Sequence, residues 1–130
     1  MQFYISPQGN DSYDGSLKYP VKTLERAVLL VRKALKDGAK NIEVNLEEGV
    51  YYLKNPVAFT AEDSGTEEFP VIYRGIGNAV ISGGQQIYPE WEYFGNGIYR
   101  SVVPEGISFD QFFINHEKRS WPDIQTMIRR

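Results

Sequence analysis

The hydrophobic pattern of this chain changes period twice. Phe3-Tyr4-Ile5-Ser6 reads as a short strand, and Pro7 to Ser16 after it is dense in Pro, Gly, Asn, Asp and Ser, which favour turns for separate steric and hydrogen-bonding reasons. Leu24, Ala27, Val28, Val31, Ala34 and Leu35 then recur at steps of three and four, the spacing of one helix face. Thr23 is placed to cap that helix, with Pro20 before it to fix the approach of the chain. Arg32, Lys33 and Lys36 lie toward its C-terminus, and Gly38 follows as a stop.

Beyond the helix the period drops to two. Ile42-Glu43-Val44-Asn45-Leu46 alternates, a turn at Glu47-Glu48-Gly49 follows, and Val50 to Leu53, Val57 to Thr60, Val71 to Arg74 and Ala79 to Ser82 read as further short strands. Setting Val44 beside Ile72 also sets Gly49 beside Gly77 and Leu53 beside Ile81, a repeat of 28 residues. Repetition of strand, Gly turn and strand is the mark of a solenoid, in which no coil buries its own apolar face. A helix laid across one end of such a stack would cover strand edges and apolar cross-section together. A small antiparallel sheet of meandering hairpins is the alternative that the same turns permit.

From Gln86 onward the texture differs. Trp91 to Phe94, Ile98 to Val103 and Gln111 to Asn115 read as strands, joined by polar or Gly-containing turns such as Gly95-Asn96-Gly97. Two regions are therefore expected: 1–87, a cap with the first coils, and 88–130, a β-rich insertion or an incomplete continuation. Trp121 to Arg130 contains no recognisable closing element.

Composition narrows the functions. Aromatic residues make up 14% of the chain, nine of them Tyr and seven Phe, so some rings are expected on a surface or in a groove. A net charge of -3 with a pI near 5.2 provides no basic stripe, which excludes nucleic acid as the expected partner. Neither a membrane span nor an export signal is legible, and a membrane is not an expected partner. Without cysteine there is no disulfide or thiolate metal site, and compartment stays open.

The order of motifs also resembles a known family. Tyr4-Ile5-Ser6-Pro7-Gln8-Gly9-Asn10-Asp11-Ser12, then Asp14-Gly15-Ser16, Pro20 and Thr23-Leu24-Glu25-Arg26-Ala27, resembles the start of pectate-lyase-like β-helix proteins. Val44 to Leu53, Asp63-Ser64-Gly65-Thr66 with Pro70 to Arg74, and Val80-Ile81-Ser82-Gly83-Gly84 look like the N-terminal region of bacterial β-helix glycoside hydrolases of the family 141 kind. The likeness covers residues 3 to about 87 and extends more loosely through Phe112 to Asn115 and Trp121-Pro122; after His116 the chain departs from the pattern. It implies a mainly β protein, a right-handed parallel β-helix with an N-terminal capping helix and a β-rich insertion. It implies an N-terminal fragment of a polysaccharide-degrading glycoside hydrolase, inactive alone because the catalytic coils lie elsewhere, from a family often secreted or periplasmic. A polysaccharide lyase fragment and a non-catalytic glycan-binding or structural module are the alternatives.

Glycoside hydrolysis needs two carboxylates about 5 to 9.5 Å apart. Glu62, Asp63, Glu67 and Glu68 are the densest acidic cluster, yet a solvated loop in which Asp63 caps a turn explains them better, so no residue is assigned a catalytic role. Asn10, Asp11 and Asp14 fit turn chemistry better than a calcium loop, whose spacing is absent, and Asn10-Asp11-Ser12 fits the glycosylation sequon. His116 is the only histidine and reads as a surface turn residue; no metal or cofactor is expected. Trp91, Tyr93, Tyr99 and Trp121 are the candidate carbohydrate-binding residues, because sugar C–H faces pack on flat aromatics. The competing expectation is that Trp91 and Tyr93 fill the core of the insertion. Expected partners are a polysaccharide or oligosaccharide, and a second copy meeting the exposed end of the coils.

Overall fold

Asp11 sets where the helix starts. One carboxylate oxygen accepts from the Lys22 and Thr23 amides, each at 2.9 Å, and the other from the Thr23 hydroxyl at 2.8 Å. Thr23, so held, accepts from the Arg26 amide at 3.2 Å and begins α1, Leu24–Lys36. The far end closes as a Schellman turn: Gly38 donates to Leu35 O at 3.0 Å and Ala39 to Ala34 O at 2.9 Å. Leu24, Ala27, Val28, Val31 and Ala34 are buried, the stripe that the three-and-four spacing predicts.

The computed structural model describes residues 1–119. The chain divides into two units, Met1–Gln86 and Ile87–Arg130. Strands dominate, arranged in small sheets with a single α-helix among the described residues.

In the first unit β1 (Gln2–Ile5), β2 (Ile42–Leu46) and β4 (Val71–Gly75) form one parallel sheet in the order β1-β2-β4. A second parallel sheet pairs β3 (Gly49–Tyr52) with β5 (Ala79–Ser82). The antiparallel meander is thereby excluded for this unit. Alternation puts Ile42, Val44 and Leu46 into the core with Ile5, Val21 and Val31. Val71 and Tyr73 stack in register beside Ile42 and Val44 and pack against that core. Tyr51, also buried, donates its hydroxyl to Ile5 O at 2.9 Å and Glu47 O at 2.7 Å, tying β3 to the end of β1.

Two expectations need correction here. The repeat is not 28 residues: Val44 pairs with Tyr73 and Gly49 with Ala79, so successive strands lie 29 apart in one sheet and 30 in the other. A slip of one residue would turn Val44 against outward-facing Ile72, and burial of the inward side chains prevents that. The second correction concerns Val57 to Thr60, which is not a strand. There the Thr60 amide donates at 2.7 Å to the Asp63 carboxylate, forming a capping box around a single 3-10 turn at Ala61–Asp63, so this amide serves the cap.

The second unit is described through Arg119. Two antiparallel hairpins occupy it, β6 (Glu92–Gly95) with β7 (Ile98–Arg100) and β8 (Phe112–Ile114) with β9 (Glu117–Arg119). Asn96-Gly97 and Asn115-His116 make their turns with positive φ at both positions, the backbone that closes a tight hairpin. His116 is thus a turn residue. The expected strand from Ile98 to Val103 ends at Arg100, and β9 lies where the sequence departs from the family pattern.

Candidate functional site

The candidate aromatic residues fall on one hairpin. Tyr93 and Tyr99 are directly opposed across β6 and β7, with ring centroids 5.5 Å apart and planes at 65°. Side chains on one face alternate with those on the other, so Glu92, Phe94 and Arg100 take the opposite side. There Arg100 pairs with Glu92 and stands 4.8 Å from the centroid of the Phe94 ring. The Tyr93 hydroxyl accepts from the Gly97 amide at 3.3 Å, which steadies that ring against the turn.

Exposure decides between core and surface. Tyr93 and Tyr99 are 63% and 62% exposed, and Trp91, one residue before β6, is 54% exposed. A side chain that keeps more than half its surface in water does not fill a core, so the core expectation for Trp91 and Tyr93 fails. Trp121 lies outside the described residues.

The acidic cluster divides by burial. Asp63, with only 3% of its side chain exposed, takes Arg32 Nε at 2.6 Å and Nη2 at 2.9 Å in a two-pronged ion pair. The hydrogen bond from Arg32 comes first among the causes that hold its carboxyl below the ordinary range; burial opposes it, and the Thr60 amide assists. Glu62 sits 3.9 Å from Lys36 in an exposed pair, while Glu67 and Glu68 are exposed. Asp63 is committed to the capping box and to Arg32, as structural carboxylates are. Among the described residues no three His, Asp or Glu side chains converge as metal ligands would, and no helix is long and apolar enough to cross a membrane.

Sequence reasoning missed an open groove of about 580 Å³ in the first unit, lined by Leu46, Phe59, Asp63, Val71, Tyr73 and Ile81 among others. Phe59 and Tyr73 meet edge to face there, centroids 5.2 Å apart. The Tyr73 hydroxyl is buried with no hydrogen-bond partner among the described residues. Burial first, and then the nearby Asp63 charge, push it up to about 12, against the pull of Arg32.

No family model matches the chain, and no curated protein does. Among solved structures, a glycoside hydrolase superposes with a TM-score of 0.81 at 33% identity, covering 90% of this chain and 21% of that one. A complex of XylC with xylose aligns at TM-score 0.48 and 22% identity, over 76% of this chain and 14% of that one. A rhamnogalacturonan lyase aligns at TM-score 0.44 and 20% identity, over 62% of this chain and 21% of that one. The chain spans about a fifth of the length of the glycoside hydrolase it resembles. Over nine tenths of its own length it shares the fold of part of a carbohydrate-active enzyme.

Proposed function

We propose that this chain forms the helical cap and first coils of a right-handed parallel β-helix in a polysaccharide-degrading glycoside hydrolase of the family 141 kind. In this reading residues 1–87 build the coils, residues 88–130 belong to an inserted region, and the catalytic carboxylates are carried outside these 130 residues. The observation that carries it is the 33% identity with a glycoside hydrolase over 90% of the chain. Parallel addition of β4 to β2 and of β5 to β3 supports successive coils, and the commitment of Asp63 to Arg32 supports chemistry elsewhere.

The exposed Tyr93–Tyr99 pair supports a sugar-binding role for the hairpin, with Trp91 and Trp121 as further contacts. The same pair favours the second reading, a glycan-binding module without catalysis.

Fluorescence of the two tryptophans, titrated with neutral and uronate-containing oligosaccharides, tests the binding role. Saturable quenching that Tyr99→Ala weakens about tenfold, a loss of ~1.4 kcal/mol, is expected. No response to any glycan retires it. Reducing-sugar release by this chain alone would overturn the placement of the catalytic residues elsewhere, and unsaturated uronate absorbance would replace hydrolase by lyase.

A further inference from the structure

We propose that the open side of the first unit, where β4 and β5 border the apolar groove, docks a second copy of this chain related by a two-fold axis. Neither strand has an outer partner among the described residues. Leu53 and Gly49 donate to Ser82 O and Asn78 O, so by alternation Val80 also turns its backbone toward β3, while Ala79 and Ile81 turn theirs outward. Ile76 donates to Leu46 O, and by the same alternation Val71, Tyr73 and Gly75 face outward. Rows of outward amides and carbonyls are completed by polypeptide strands.

These edges carry little of the protection natural edges use. β5 contains no charge and no proline, and the single charge of β4, Arg74, is drawn to Glu43 at 3.1 Å. Beside the rim the groove presents Phe59 and Ile81, 54% and 51% exposed.

The opposite edge is closed. Tyr4 donates to Gly15 O, Val21 to Tyr4 O and Ser6 to Val21 O, so residues 15–21 occupy the outer side of β1, with α1 packed beside it. A copy can therefore offer only its own β4–β5 rim, and head-to-tail growth is blocked. The contact is isologous, its new strand pairs are antiparallel, and assembly stops at two. Two short edges and the groove amount to roughly 600 Å² per copy, the lower end of what a stable association buries, which places the dimer in the micromolar range.

Sedimentation of the full chain from about 1 μM to about 200 μM should show a monomer–dimer equilibrium with nothing larger. Ile81→Pro removes an outward amide and leaves those facing β3 intact; Ile81→Lys places a charge at the groove. Each should raise the dimer dissociation constant at least about tenfold while the cooperative urea transition persists, whereas Leu29→Lys on exposed α1 leaves it unchanged. A monomer at every concentration, or a dimer indifferent to both Ile81 variants, overturns the proposal. Filaments overturn the two-fold closure, and a monomer that instead takes up an added strand-forming peptide shows that the edge serves a foreign strand.

Discussion

Arg32 and Asp63 meet in a two-pronged ion pair across 31 residues of sequence, with Nε on Oδ1 at 2.6 Å and Nη2 on Oδ2 at 2.9 Å. Arg32 also donates to Ala58 O at 3.2 Å, so one side chain fastens both the turn at Ala61–Asp63 and the segment before it to α1. Removing a buried partner strands the other, at a cost of 3–5 kcal/mol for full burial; Arg32 keeps 26% of its side chain in water, which lowers the figure. Asp63→Ala is expected to lose about 2–4 kcal/mol in urea unfolding. A loss below about 0.5 kcal/mol would mean the pair contributes nothing net.

Acid should destabilise the first unit through two carboxylates. Asp63 is held low chiefly by Arg32; at Asp11 burial is the largest influence and pulls upward, but bonds from Thr23 and Lys22 outweigh it. Both bind protons more readily unfolded than folded, so their stabilisation is present above the unfolded value near 4 and is lost as pH falls through the lower folded values. Unfolding midpoints should drop below about pH 4, and the double variant Asp11→Asn, Asp63→Asn should flatten that dependence.

Alkali acts through tyrosines. Burial, seconded by Glu47, pushes Tyr51 up to about 12, and Tyr73 likewise stands at about 12. Their folded values lie above the unfolded 10, so their contribution is complete below pH 10 and is lost as pH rises toward 12. Tyr51→Phe should remove part of that loss. At neutral pH the same substitution should cost about 1–2 kcal/mol, because Ile5 O and Glu47 O lose their donor. An unchanged thermal midpoint at neutral pH would contradict this.

Two glycines should respond differently to alanine. A Cβ at Gly65 would overlap the Phe69 carbonyl oxygen and the Pro70 backbone, neither of which can swing aside. Gly38 has open space around it and only its positive φ to lose. Gly65→Ala should therefore cost more than about 2 kcal/mol and Gly38→Ala about 1 kcal/mol, read from denaturation midpoints.

Some of this was legible along the chain. Thr23, the apolar stripe of α1 and Gly38 carry the information for a helix locally, and cap and stop fall where those residues place them. Alternation in Ile42 to Leu46 predicts a half-buried strand for the same reason. The turn role of Asp63 was readable from its neighbours; its pairing with Arg32 was not, because nothing in local sequence brings together residues 31 apart.

By itself, then, the sequence determined the helix, most of the strands, the turns and the absence of a basic surface, since each depends on residues within a few positions of one another. Tertiary structure alone decided that β1, β2 and β4 run parallel, that the repeat is 29 and 30 residues, and that Tyr93 and Tyr99 face water. Register and exposure are set by which apolar faces meet, and a one-residue slip that leaves every local preference intact still turns each buried side chain outward.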